Sequence, residues 1–132
     1  MKPFFITALL FLSACGSLTN KLEDKKQTLT MHYIAWACDC ANWVSNEDIA
    51  KHRNADDFDK YCVYIEPASP ELALPDTIGC SNDVVRFTGQ FYRNIGFPHG
   101  YKSGEMPEKA RVFRYTKFKI IESNYRAYKD VK

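Results

Sequence analysis

A small, mainly β domain with one short helix is what the sequence predicts from Thr28 onward, and three observations carry that prediction. Short runs rich in aromatic and β-branched residues recur along the chain. Over 84–91 the side chains alternate, with Val85, Phe87, Gly89 and Phe91 on one side and Val84, Arg86, Thr88 and Gln90 on the other. That period of two belongs to a sheet with one face on a core and one in water. Between the runs, one segment carries a helix start: Ser45 followed three residues later by Asp48.

Taken in order, Leu29 to Ala37 (LTMHYIAWA) reads as the first strand. The helix begins after Ser45, takes in Ile49, Ala50 and Lys51, and runs out by Asn54. Tyr61 to Ile65 (YCVYI) reads as a second strand that stops at Pro67, since proline cannot continue a central ladder. The alternating strand over 84–91 follows. Residues 96–107 read GFPHGYKSGEMP, and their three glycines and two prolines mark a long exposed loop. In Arg111 to Ile121 the apolar set is first Phe113 and Tyr115, then Phe118 and Ile120, so the parity changes near Thr116. One inserted residue does that, which predicts a bulge and a sharply coiled strand. Four or five coiled strands in about a hundred residues favour a small coiled β-barrel, oligonucleotide/oligosaccharide-binding-like, with a sandwich as the other arrangement.

Ahead of this domain stands a different kind of sequence. Lys2 precedes an apolar run that starts at Phe4 and closes on Leu12-Ser13-Ala14-Cys15. A charged start, an apolar stretch of roughly ten residues and small residues at its end make a secretory signal, too short for a permanent span. The four closing residues resemble the lipobox of bacterial prolipoproteins, in which the cysteine thiol receives a diacylglycerol, the signal is cut before it, and the new amine is usually acylated. The resemblance implies that residues 1–14 are a removed signal peptide and that Cys15 becomes the lipidated first residue of a 118-residue chain. It further implies export to the bacterial cell envelope, with Gly16 in place of a retaining aspartate pointing to the outer membrane. Each buried methylene contributes about 0.8 kcal/mol, so two or three acyl chains anchor durably where one does not.

Residues 15–27 then read as the lipidated N-terminus and its polar tether, carrying Lys21, Glu23, Asp24, Lys25 and Lys26, and residues 28–132 as a single domain. The second half of the chain, VVRFTGQFYRNIGFPHGYKSGEMPEKARVFRYTKFKII, is similar to small uncharacterised lipoproteins of the Bacteroidota. That resemblance brings no functional motif with it.

With Cys15 set aside, Cys38, Cys40, Cys62 and Cys80 remain, an even number in an exported chain, and structural disulfides are the default. In an extended strand Cys38 and Cys40 would have α-carbons about 6.7 Å apart, at the limit of disulfide reach. The favoured pairing therefore joins each of them to one of Cys62 and Cys80, in either order. The competing reading is a thiolate site for zinc or copper(I) built on Cys38 and Cys40, or a redox-active pair there. Its spacing is not that of a zinc ribbon, and His32 stands six residues away, so the sequence assigns no metal and no cofactor.

Charge is balanced in total but not along the chain. Residues 28–83 hold ten acidic and three basic side chains, and residues 84–132 hold eleven basic and four acidic. Arg86, Arg114, Lys117 and Lys119 on neighbouring strands would form a basic strip, with Tyr92, Tyr101 and Tyr115 for stacking, able to bind an anionic glycan or headgroup. The plainer alternative is a solvated outer face. Nucleic acid is disfavoured by the envelope address and by the neutral sum. His32, His52 and His99 have no recognisable nucleophile partner, and no hydrolase, phosphate-loop or zincin motif is present, so no catalytic residue is assigned. The sequence thus points to a lipid-anchored, non-enzymatic binding or scaffolding module, with the membrane as partner through its lipid and an envelope protein or anionic glycan as the candidate ligand. A metal-handling or thiol-redox lipoprotein is the second reading and a small envelope-glycan enzyme the third.

Overall fold

The structure is a computed structural model, and it describes residues 20–80 and 82–123. Leu12 to Cys15, and with them the signal and lipid-attachment expectations, lie outside the described residues. Five strands form one sheet: β1 (Gln27–Tyr33), β2 (Trp43–Ser45), β3 (Tyr64–Pro67), β4 (Val84–Phe91) and β5 (Val112–Glu122). Their order is β2-β1-β4-β5-β3, antiparallel throughout except for the parallel pair of β3 and β5. The two outer strands meet again where Trp43 and Val63 exchange backbone hydrogen bonds of 3.2 and 2.7 Å. The sheet is therefore curled into a partly open barrel, the architecture the strand pattern predicts.

Curvature comes largely from β5. Thr88 faces Lys117 and the next residue, Gly89, faces Tyr115, so Thr116 is the extra residue of a bulge where the parity of the sequence changes. Gly89 is required there: a Cβ on it would fall 2.0 Å from the carbonyl oxygen of Arg114. Inside the curl lie Met31, Trp43, Val85, Phe87, Phe113 and Tyr115, with Trp43 edge-on to Phe87 at 5.3 Å. A second cluster of Val44, Cys62, Tyr64, Tyr92 and Val112 sits on the outer face, under the helix and the long loop. Where β2, β3 and the start of β5 meet, alternation thus serves a core on each side, whereas along β4 it separates the inner core from the water-facing Arg86.

The helix α1 (Asn46–His52) starts as expected, with the Ser45 hydroxyl accepting from the Asp48 N–H at 3.0 Å. Ser45→Ala should cost about 1 kcal/mol, read as a shift in urea midpoint at constant slope. Three boundaries differ from expectation. The first strand ends at Tyr33, because Ile34 turns to donate to Asn42. The strand expected at Tyr61 starts at Tyr64, since Phe58–Tyr61 winds into a 3-10 turn whose Tyr61 ring stacks on His52 at 3.8 Å. From Asn20 on, the segment read as a tether is docked: Arg93 donates to Lys21, Glu23 donates to Phe91, and Leu22 packs on the outer cluster. Among the described residues no helix is long and apolar enough to cross a membrane.

Candidate functional site

Between β1 and β2 the chain bends, and within that bend Cys38 and Cys40 are bonded to each other. This corrects the expected pairing. The bend shortens their α-carbon separation to 5.3 Å, inside the normal range for a bridge, whereas the expectation assumed an extended chain. Cys62 and Cys80 are free thiols. Cys62 lies in the outer core, where burial pushes its thiol up and keeps it protonated. Cys80 is exposed, and its N–H is bonded by the buried carboxylate of Asp83 at 3.3 Å, which also accepts from Gly79 at 2.9 Å.

Asp39, between the paired cysteines, is gripped by the long loop. Its N–H donates to Glu105 at 2.7 Å, its carboxylate accepts from Ser103 at 2.8 Å, and its carbonyl accepts from the Tyr101 hydroxyl. The turn is therefore fixed by hydrogen bonds as well as by the bridge. A bridge closing so short a loop removes little unfolded-state entropy, so replacing both Cys38 and Cys40 by serine should cost only about 1.5 kcal/mol, against about 3 for a longer loop. Equilibrium denaturation of the double variant measures this directly.

The pair forms part of the wall of a cleft of about 480 Å³, together with Trp36 and Ile95. Three cations, Lys60, Lys109 and Arg111, and two carboxylates, Asp59 and Glu108, also line it. The Arg111 guanidinium is held over the Phe91 ring at 3.6 Å and lies 3.6 Å from Glu23. A volume of this size with a mostly apolar wall and a few fixed charges suits a small amphipathic ligand. Arg111 and Ile95 reach the cleft because Ala110 and Gly96 pair across the base of the loop, at 2.8 and 3.2 Å.

A second group of ionisable residues surrounds Glu66 on β3. Its carboxylate is almost wholly buried and accepts from the Tyr92 hydroxyl at 2.6 Å and from the His99 N–H at 3.0 Å. The His99 ring nitrogen Nδ1 also lies 3.0 Å from it, and Arg114 Nε 3.8 Å. Burial is the largest influence and works against the charge, but the bonds from Tyr92 and His99 outweigh it and hold the carboxyl below the usual range. The Tyr92 hydroxyl, buried and donating to Glu66, is pushed up to about 12. This cluster staples the long loop to the sheet. His99 is therefore a loop residue, as the sequence suggests, with a carboxylate partner that the sequence does not show.

The basic strip is partly assembled. Arg86 on β4 faces Lys119 on β5, and Lys117 is opposite Thr88, so three of the four cations share the outward side of adjacent strands. Arg114 points toward β3, donating to the Ala68 carbonyl at 3.1 Å. None of Arg86, Lys117 and Lys119 lines the cleft beside the disulfide. Tyr92 and Tyr115 are buried, and Tyr101 stacks on Phe97 at 5.1 Å, so the stacking platform expected beside the strip is not there. Among the described residues no group of three or more His, Cys, Asp or Glu is arranged to hold a metal ion. No protein family, no curated protein and no solved structure gives a significant match to this chain.

Proposed function

We propose that this chain is a lipid-anchored, non-enzymatic binding module of the bacterial envelope, held by acyl chains on Cys15 and carrying its ligand in the cleft beside the Cys38–Cys40 bridge. The cleft carries the reading: about 480 Å³, an indole and an aliphatic side chain on its wall, and Lys60, Lys109 and Arg111 around them. Such a site takes an amphipathic molecule with an anionic group, the indole giving contact area and the cations fixing the charged end. Arg111 is set for this task because its guanidinium is already held in place over the Phe91 ring. The outer strip of Arg86, Lys117 and Lys119 is in this reading a solvated face.

The test is native mass spectrometry of the full chain, expressed with its leader in a bacterial host and extracted in mild detergent. The expected species starts at Cys15, carries acyl chains and holds an additional small molecule that is lost in Trp36→Ala. A mature chain starting elsewhere would remove the anchor. An acylated chain with an empty cleft under every extraction would remove the ligand.

The disulfide favours one second reading, thiol–disulfide exchange at Cys38 and Cys40. The pair is joined across a single residue, and Cys38 is exposed. Exposed bridges are the ones that exchange. In that case a dithiol reductant would open the pair reversibly with the barrel intact, and the zinc or copper(I) reading would require the opened form to bind metal.

A further inference from the structure

Resting on the lipid-anchored reading of Cys15, we propose that the barrel docks on the bilayer surface through one defined end, the two clasped loops 34–42 and 93–110, with Trp36, Ile95, Phe97 and Met106 at the lipid. Two independent features select this end. The first is where the chain emerges. Asn20 is fixed to the barrel by a pair of bonds with Asn94, its side-chain amide donating to the Asn94 carbonyl at 2.9 Å and its Oδ1 accepting from the Asn94 N–H at 3.1 Å. Asn20, Ile95, Phe97 and Lys109 line one cavity, so the exit point and the apolar residues are neighbours.

From Cys15 to Asn20 there are five peptide steps, which span at most about 18 Å when fully extended. A domain of this size is about 30 Å across. The anchor therefore cannot reach the bilayer from the far side of the barrel, and the end that bears Asn20 must face the membrane. A free tether of residues 15–27 would impose no such orientation. The bonds of residues 20–23 to Gln90, Phe91, Arg93 and Asn94 are what shorten it.

The second feature is the surface itself. Of the six large hydrophobic side chains exposed among the described residues, four lie on these two loops: Trp36 at 37%, Ile95 at 61%, Phe97 at 37% and Met106 at 90%. The loops are held together through Asp39, with its bonds to Tyr101, Ser103 and Glu105, and Ile95 shares one cavity with Trp36 and another with Phe97, so these three side chains belong to one built surface, with Met106 on the same loop. Indole and aliphatic side chains with lysines beside them are the composition of a bilayer-interface contact. Trp36, Ile95 and Lys109 also line the cleft, which on this orientation opens toward the lipid.

The two tryptophans make the test direct, since Trp36 is exposed and Trp43 is in the core. The full-length acylated protein is reconstituted into phosphatidylcholine/phosphatidylglycerol vesicles whose acyl chains carry bromine, a contact quencher. Trp36 should lose most of its emission relative to plain vesicles, and Trp36→Phe should leave a residual emission that bromine barely changes. Ile95→Asp combined with Phe97→Asp should restore Trp36 emission while the protein still floats with the vesicles. Vesicle-bound protein whose Trp36 emission is the same with and without bromine overturns the docking surface, as does full quenching in the double variant. Protein that does not float overturns the anchor reading itself, a separate and recognisable failure.

Discussion

Gly89→Ala should lower the unfolding free energy by about 3 kcal/mol or more, a large share of the roughly 5–15 kcal/mol that holds a domain of this size. The added methyl would sit 2.0 Å from the carbonyl oxygen of Arg114 and 2.7 Å from the α-carbon of Tyr115. Both are backbone atoms of β5 at the bulge, so no flexible side chain can move aside. Relief requires β4 and β5 to separate where they are most tightly coiled, and the Phe87 and Tyr115 rings, 4.9 Å apart inside the barrel, would lose their contact. The measurement is the denaturant midpoint, with the Trp43 environment as a local reporter. Midpoints within a few tenths of a kcal/mol of wild type would show that the strands do not approach so closely. Gly96→Ala is the control: a Cβ there meets nothing within 4 Å.

Much of this architecture was legible because it rests on local pattern. The alternation over 84–91 marks β4 with its boundaries, and the change of parity near Thr116 locates the bulge from one strand alone. Ser45 and Asp48 gave the helix start. What escaped was set by contacts distant in sequence. β2 is three residues long, too short for a period to show, and exists through its pairing with β1 and with Val63. The cysteine pairing turned on a bend fixed by Tyr101, Ser103 and Glu105, more than sixty residues away. The docking of the tether from Asn20 on is not legible, because its polar composition says nothing of the backbone bonds it makes to Phe91 and Arg93. Arg86, Lys117 and Lys119 were placed together by alternation alone, whereas Arg114, on the other side of the bulge, was drawn to Glu66. For the cleft, Trp36 and Arg111 were separately visible, but their meeting depends on how the long loop closes.

Glu66→Ala should cost about 2 to 3 kcal/mol and release the long loop, because it leaves the buried Tyr92 hydroxyl without its acceptor and frees the His99 N–H. Amide hydrogen exchange at 96–105 would rise with it, and with the loop's hold on Asp39 weakened, the cleft beside the disulfide would lose its shape. Glu66→Gln separates charge from geometry. The folded-state pKa of Glu66 lies below its unfolded value, so its ionised form contributes stability that is fully present above the ordinary carboxylate range of about 4.3. As the pH falls through the lowered folded-state pKa, that contribution is lost. Wild type should therefore be more stable than Glu66→Gln at neutral pH, and the gap should close on acidification, while Tyr92→Phe, which removes one donor to the carboxylate, should show a smaller gap of the same sign. Chemical denaturation between pH 7 and pH 3 reads both effects. A constant difference across that range would mean that Glu66 acts through shape alone and that its charge does not hold the loop.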